Sequence, residues 1–339
     1  MSDQNNSVFE QRVASLRELL DQNDLDALIV SHDDEYLSYE LNEDEERLKY
    51  ITGFSGSAGY AVITSNDLKI NEENIEINQD NTENGIVVDR DCAVFVDGRY
   101  VVQVKEQIDS DIFQDFDLAK VKPAKWISSV MPKNSTVGID INCVSYKEYI
   151  SIKNELGMNN INLVATENNL VDKIWTDKPA SVISEISIFP DEYNGCPSPQ
   201  KRQLIAQTLR DKDLDATVIC DPESICWLLN IRGKDRAYLP VINCKMVAYS
   251  NEALEWYINP NHFKDENLQD QLQEHIGHID IFPEEAFDDV LDRLCSSSCT
   301  VYVDPETTNA HVITKLYSGG AKVSEGLGFC QMPKACKNH

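Results

Sequence analysis

The first thirty residues carry apolar positions at two successive periods. In RVASLRELLDQNDLDALIVS, hydrophobic side chains recur at helical spacing, at Val13, Leu16, Leu19 and Leu20. The run Ala27–Val30 that follows is continuously apolar, which is typical of a buried strand. The pattern therefore predicts a helix that leads directly into a strand of the core.

A second copy of this pattern follows nearly two hundred residues later, in KRQLIAQTLRDKDLDATVIC. Ile205 and Leu209 mark its helix, and Ala216–Cys220 its strand. Both copies carry Asp-Leu-Asp-Ala at the turn between helix and strand, at Asp24–Ala27 and at Asp213–Ala216. Self-similarity in the same order along the chain indicates an internal repeat.

The repeat extends beyond these openings. In each copy an aromatic-led apolar segment ends in glycine, YITG at Gly53 and WLLNIRG at Gly233, which we interpret as equivalent turns. Later, TVGID matches TVYVD, and each predicted strand leads into a predicted helix, at 145–156 and at 308–317. Strands that alternate with helices predict an α/β fold, with two tandem domains that each have a mixed β-sheet flanked by helices.

The predicted boundaries follow composition. The connector NNLVDKIWTDKPASVISE separates the two copies, and the polar stretch KINEENIEINQDNTENG is predicted to be a surface loop inserted into the first. We predict three regions and one insertion: a first domain at 1–175 with the insertion at 69–85, a second domain at 176–330, and the start of a connector at 331–339.

Composition narrows the class of protein. The chain has 339 residues, with 30 basic and 58 acidic side chains, for a formal charge of −28. This charge disfavours nucleic acid and anionic membranes, which reward positive charge. The first residues lack the basic and apolar regions of a secretion signal, and no apolar run is long enough to span a bilayer. We therefore expect a cytoplasmic protein whose ten cysteines are reduced.

The glycine-rich stretch ITGFSGSAGYAVIT raises the question of a phosphate site. A P-loop needs Lys and then Ser or Thr after its last glycine, but Tyr60 and Ala61 follow Gly59. A dinucleotide fingerprint needs a helix after its glycines, whereas YAVIT has the composition of a strand. Neither kind of phosphate site is predicted.

The same stretch also fails as a nucleophile elbow. Gly53 and Ser55 fit the pattern G-x-S-x-G, but Ser57 stands where the second glycine is required. We therefore predict that Ile51–Thr64 is a strand–turn–strand element whose glycines are structural. No catalytic residue is predicted here.

The sequence signals for other functional sites, such as a zinc site, are also weak. A zinc site would need His275, His278, Cys295 and Cys299 to converge, but HIDIF resembles a strand, on which residues three apart point to opposite faces. The acidic segment DDEYLSYELNEDEE after His32 is interpreted as a solvated loop. We predict no metal site and no catalytic residue in this chain.

Two charged motifs stand out on predicted turns. VDGRY places Asp97 and Arg99 after a strand, and RGKDRAY places Arg232 and Asp235 after the second apolar segment. Each pair could tie its own turn together through charge-assisted hydrogen bonds. Alternatively, the four side chains could line the edge of a substrate cleft.

Four motifs in order resemble the cytosolic, three-domain form of Xaa-Pro aminopeptidase (aminopeptidase P): RLKYITGFSGSAGYAVIT, AVFVDGRYVVQVKEQID, NLVDKIWTDKP and WLLNIRGKDRAYLPV. The resemblance runs from about residue 10 to the end, and it implies two creatinase-like N-terminal domains. In that family a third domain with the pita-bread fold binds two metal ions, typically manganese, through two Asp, one His and two Glu. This chain stops at MPKACKNH, the start of the family's bridge. We therefore expect the pita-bread domain, and both manganese ions, to be absent from it.

The resemblance implies a role without catalysis for these residues. The two domains would restrict the cleft of an enzyme that cleaves short proline-containing peptides, and they would support a homodimer. Arg236, Ala237 and Leu239 depart from the family's pattern, which would alter that cleft. The alternative is an interaction module without catalysis, in which the acidic surface binds a basic partner such as histones.

Overall fold

The computed structural model describes residues 2–66, 88–265 and 267–336. The chain divides into two compact, discontinuous units. Unit 1 consists of Met1–Asp33, Glu43–Val144 and Glu148–Ala180, and unit 2 of Asp34–Asn42, Ser145–Lys147 and Ser181–His339. The polar insertion predicted at 69–85 lies outside the described residues.

Unit 1 is built on one mixed sheet. Within its described residues six strands pair in the order β4-β3-β2-β1-β5-β6. Their bounds are β1 (Ala27–Ser31), β2 (Gly59–Thr64), β3 (Cys92–Val96), β4 (Phe113–Asp117), β5 (Thr136–Ile139) and β6 (Asn162–Ala165). Strand β2 runs antiparallel to β1 and β3, whereas β4, β5 and β6 each pair in parallel with their neighbours.

The helices of unit 1 cover this sheet. They are α1 (Ser2–Gln22), α2 (Arg47–Thr52), α3 (Gln103–Gln107), α4 (Pro123–Val130), α5 (Tyr146–Met158, which begins in the short segment counted with unit 2) and α6 (Leu170–Ile174). Helix α1 buries Val13, Leu16 and Leu20 in one cluster with Leu28 and Val30 of β1. The predicted amphipathic helix and buried strand are thus confirmed as packing partners.

Unit 2 repeats the same sheet. In the part of this unit that the structure describes, six strands pair in the order β12-β11-β10-β8-β13-β14, and β7 and β9 form a separate two-stranded sheet. Their bounds are β7 (Ser187–Ile188), β8 (Ala216–Ile219), β9 (Ile231–Arg232), β10 (Cys244–Tyr249), β11 (Leu254–Ile258), β12 (Asp280–Pro283), β13 (Thr300–Val303) and β14 (Lys322–Glu325).

The helices of unit 2 pack on both faces of its sheet. They are α7 (Asp191–Asn194), α8 (Ser198–Asp211), α9 (Pro222–Leu229), α10 (Leu268–Ile276), α11 (Phe287–Ser296), α12 (Ala310–Ser318) and α13 (Gln331–Ala335). Because side chains alternate along a strand, Met246 and Ala248 of β10 join one cluster with Ile205 and Leu209, while Val247 joins the cluster on the other face.

The internal repeat extends to the pairing directions. The central strands β1 and β8 each have an antiparallel neighbour, β2 and β10, and a parallel neighbour, β5 and β13. The outermost pairs β3–β4 and β11–β12 are parallel in both sheets. The predicted α/β class with a mixed sheet in each copy is therefore confirmed.

The strand–turn–strand prediction for Ile51–Thr64 is wrong at its first half. Ile51 and Thr52 end helix α2, and Gly53 closes this helix with φ of 84° and a backbone hydrogen bond to Lys49 O. A left-handed residue that ends a helix is a common reason for glycine at this position. Only the second half, β2, is the predicted strand.

The proposed equivalence of Gly53 and Gly233 is also wrong. In unit 2 the corresponding helix, α9, ends at Asn230, which adopts the left-handed conformation with φ of 52°. Asparagine tolerates this region better than most residues. Gly233 follows strand β9, where an added Cβ would lie 1.9 Å from Ile242 Cδ1. Close packing, not a turn, requires glycine there.

Candidate functional site

Asp97 and Arg99 form an ion pair with each other on the turn after β3. The Asp97 carboxylate accepts hydrogen bonds from the backbone N–H of Arg99 at 3.0 Å and from its Nε at 2.7 Å. These hydrogen bonds, the backbone one first, lower the pKa of Asp97. Both side chains are exposed, so the pair ties its own turn together.

Arg232 and Asp235 are close in sequence but have different partners. The Arg232 guanidinium stacks on Phe189, with Cζ 3.6 Å from the ring centroid. Asp235 is buried and accepts from the Ser184 N–H at 2.8 Å and from the Asn243 N–H at 2.7 Å. Asp235 therefore organises the loop that carries Arg232, while Arg232 remains on the surface.

A buried ion pair lies in unit 2. Arg236 donates to the carboxylate of Asp34, and the two side chains are 1% and 0% exposed. The same carboxylate accepts from the backbone N–H groups of Tyr36 and Ser38, at 3.2 and 2.7 Å. The acidic segment after His32 was predicted to be solvated, and for Asp34 this prediction is wrong.

The ion pair belongs to a larger set of contacts that hold the segment Asp34–Asn42 in unit 2. Asn42 Nδ2 donates to the Asp235 carbonyl at 2.8 Å, and Asn309 Nδ2 donates to the Glu35 carbonyl at 2.9 Å. Arg236 also donates to the side-chain oxygen of Asn243 at 3.2 Å. The segment is thus fixed at several points along its length.

The serines of the glycine-rich stretch are bound locally. Ser55 Oγ accepts from the side-chain amide of Gln107 at 2.8 Å, and Ser57 shares a hydrogen bond of 2.7 Å with the Tyr100 hydroxyl. Both contacts tie the loop before β2 to the segment around α3. These hydrogen bonds hold the loop in place, and within the described residues neither serine is bonded to a group that would activate it as a nucleophile.

A surface groove lies beside the loop 232–240 of unit 2. It has a volume of about 800 Å³. One wall is the segment 184–187, which includes the start of β7, and the other is the loop 236–240. Arg232, Lys234 and Tyr238 are exposed on it. Arg232, a predicted cleft-edge residue, and Arg236, which departs from the family's sequence pattern, therefore line the same groove.

The predicted geometry of the histidines needs correction. His275 is on helix α10 and not on a strand, because the chain remains helical to Ile276 and β12 begins only at Asp280. Its Nε2 lies 3.3 Å from the Asn230 carbonyl. Among the residues that the structure describes, no group of three or more His, Cys, Asp or Glu side chains could hold a metal ion.

All ten cysteines are free thiols, and six of them are buried. Every helix within the described ranges is too short or too polar to cross a membrane.

These features define an α/β protein built from two copies of one domain, in which buried polar contacts fix the loops after the strands. The chain belongs to the creatinase/prolidase N-terminal domain family, since two family models with this description match it, one at residues 12–79 and the other at 177–339.

Two similar proteins are both named as Xaa-Pro aminopeptidases. The chain is 27% identical over 338 residues to the Xaa-Pro aminopeptidase ApepP of Drosophila melanogaster, covering 97% of this chain and 50% of that protein. It is 30% identical over 270 residues to a probable Xaa-Pro aminopeptidase P of Talaromyces marneffei, covering 79% of this chain and 36% of that protein. The chain thus spans half or less of the length of these relatives.

A solved structure shows the same fold. The X-prolyl aminopeptidase of Caenorhabditis elegans, described as a cytosolic enzyme with a di-nuclear active site, superposes with a TM-score of 0.83. The sequences are 22% identical, and the match covers 97% of this chain and 52% of that structure. Both repeats therefore have counterparts in one known chain.

Proposed function

We propose that this chain forms the non-catalytic N-terminal domains of a metal-dependent Xaa-Pro aminopeptidase, which removes the residue before proline from peptides. The observation that carries the proposal is the match, over 97% of the chain, to a relative that carries this name and is twice as long. In this proposal a pita-bread catalytic domain, outside the 339 residues, would hold two manganese ions, which would supply the activation of water.

The two domains would act by restricting access and would support a homodimer in the cytoplasm. Enclosing a cleft excludes bulk water and long chains without any direct contact with the reacting atoms. Asp97, Arg99, Arg232 and Asp235 are offered as residues that form the edge of that cleft: Arg232 as an exposed side chain, and the other three by holding their loops in place. The expected substrates are short proline-containing peptides.

The test uses the natural polypeptide that carries this sequence, purified from its source. With Mn²⁺ it should release alanine from Ala-Pro-Ala-Ala, but not from Ala-Ala-Ala-Ala, and EDTA should abolish the release. The 339-residue chain alone should release none. Release that is independent of proline, or no release by the natural polypeptide loaded with Mn²⁺, would contradict the proposal.

The formal charge of −28 favours a second candidate, an acidic module that binds a basic protein such as a histone. The same purified polypeptide distinguishes the two candidates. Salt-sensitive histone binding without cleavage of Ala-Pro-Ala-Ala would support the module.

A further inference from the structure

The groove beside the loop 232–240 concentrates positive charge on an acidic chain. The whole chain has 30 basic and 58 acidic side chains. The groove is lined by Arg232 and Lys234, both exposed, against one acidic residue, Glu185. Because exposed charges act mainly within a Debye length of about 8 Å, the excess of cations over acidic side chains in the lining makes the groove locally positive.

The other cations of unit 2 provide a contrast. Several of them form ion pairs with acidic neighbours: Lys147 with Glu306, Lys245 with Glu284, Arg293 with Glu255, Lys315 with Asp288, and Lys334 with Asp221. Across the described residues 2–66, 88–265 and 267–336, Arg232 and Lys234 have no such acidic partner within ion-pair distance. Their charge is available to a ligand.

Arg232 is also held in place. Its guanidinium stacks on the face of Phe189, with Cζ 3.6 Å from the centroid. A stacked arginine keeps its N–H groups at the edge of the plane, where they can donate to a carboxylate. Because this long side chain is already ordered, less conformational entropy is lost when a ligand binds.

The backbone of Lys234 is fixed as well. Its N–H donates to Ser184 Oγ at 2.7 Å, and the same hydroxyl donates to the buried carboxylate of Asp235 at 2.7 Å. These hydrogen bonds join the Ser184 segment to the loop after β9, and both of these segments line the groove. The two cations project from a rigid base and not from a free loop.

We propose that this groove binds the acidic segment of a peptide, with its carboxylates against Arg232 and Lys234. The exposed ring of Tyr238, with Leu239 and Pro240, gives an apolar wall for the neighbouring side chains of that peptide. The identity of the peptide as an Xaa-Pro substrate rests on the proposed function. The groove then gives that enzyme a preference for peptides that carry acidic residues.

Direct binding to the 339-residue chain tests the proposal without any cleavage. Two peptides with amidated C-termini differ only in charge, Ala-Pro-Ala-Glu-Glu-Ala and Ala-Pro-Ala-Gln-Gln-Ala. The Glu peptide should bind about fivefold more tightly, which is about 1 kcal/mol in total and corresponds to two surface ion pairs of ordinary strength. Raising the salt concentration should reduce this difference.

Variants locate the site. Arg232→Gln and Lys234→Gln should each remove much of the preference for the Glu peptide, whereas Lys212→Gln, an equal loss of charge at an exposed position outside the groove, should leave it unchanged. Equal binding of both peptides, or an equal effect of Lys212→Gln, would overturn the proposal. Failure of the cleavage test leaves this result intact, because binding is measured apart from activity.

Discussion

The charged side chains of Arg236 and Asp34 are both buried away from water. Substitution of either one should therefore lower the free energy of unfolding. Removing one partner of a buried ion pair leaves the other charge without compensation and typically costs about 3–5 kcal/mol. Asp34 has further hydrogen bonds from Tyr36 and Ser38, which position its carboxylate but do not neutralise it.

We therefore expect Arg236→Met to lower the free energy of unfolding by about 3–5 kcal/mol, because the Asp34 carboxylate stays buried. Urea denaturation followed by tryptophan fluorescence measures the loss. Adding Asp34→Asn to the variant should recover part of it. The exposed pair gives the control, since Arg99→Gln should leave the urea midpoint unchanged. A loss for Arg236→Met as small as that for Arg99→Gln would show that the pair is not effectively buried.

Asp34 also shows where sequence reasoning ends. Its segment, DDEYLSYELNEDEE, has the composition of a solvated loop, and a single sequence does not reveal which carboxylate is buried. The partner, Arg236, is 202 positions away. By contrast, Asp97 and Arg99 are two residues apart, and the turn that they close could be predicted from the residues alone.

Glycine at the end of helix α2 has two separate functions, left-handed backbone and close packing. Gly53 has φ of 84°, and an added Cβ would lie 2.8 Å from the Gln107 carbonyl oxygen and 2.8 Å from Phe9 Cζ. Gly320 has φ of 89° with open space around it, whereas Gly98 has neither constraint. These three glycines allow the two contributions to be separated.

We expect Gly53→Ala to destabilise by about 3 kcal/mol, because a left-handed backbone costs about 1–2 kcal/mol and overpacking about 1–3 kcal/mol. Gly320→Ala should lose only the backbone part, about 1–2 kcal/mol. Gly98→Ala should be close to neutral. Thermal and urea unfolding of the three variants give the ranking, and equal losses at Gly53 and Gly320 would show that the packing contact relaxes freely.

Long periodic elements were predictable, and short ones were not. The helix at Val13–Leu20 and the strand after it were evident because their apolar side chains form one core cluster. Helix α2 has only six residues, and no side chain caps its first turn, so the sequence does not distinguish the start of Ile51–Thr64 from a strand. The equivalent helix of the second copy ends at Asn230 and not at a glycine, so a comparison of glycine positions does not find this turn.

Duplication places two similar cores in one chain, and several cysteines are buried in the second. Burial raises the pKa of Cys220, Cys226 and Cys330, each to about 12. In the unfolded chain a thiol ionises near about 8.5. Below that pH, both states keep these protons, and the thiols do not change stability.

Above that pH the protonation of these thiols differs between the folded and unfolded states. Unfolded thiols lose their protons while the buried ones keep them until about pH 12, so unfolding releases protons and stability falls as pH rises. Each such thiol contributes a slope of up to about 1.4 kcal/mol per pH unit in this window. We therefore expect the buried thiols to make the protein sensitive to alkali from about pH 8.5, which is below the ordinary lysine pKa of about 10.4.

The free energy of unfolding, measured by urea denaturation under reducing conditions at intervals from pH 8 to pH 11, should therefore fall steeply above about pH 9. Cys220→Ala should lower stability somewhat at pH 8, through lost packing, but reduce the alkaline slope by up to about 1.4 kcal/mol per pH unit, because one ionising group is removed from the unfolded state. Cys336→Ala, at an exposed position, should leave the slope unchanged. If both variants kept the wild-type slope, deprotonation of the buried thiols would not be the cause of alkaline unfolding.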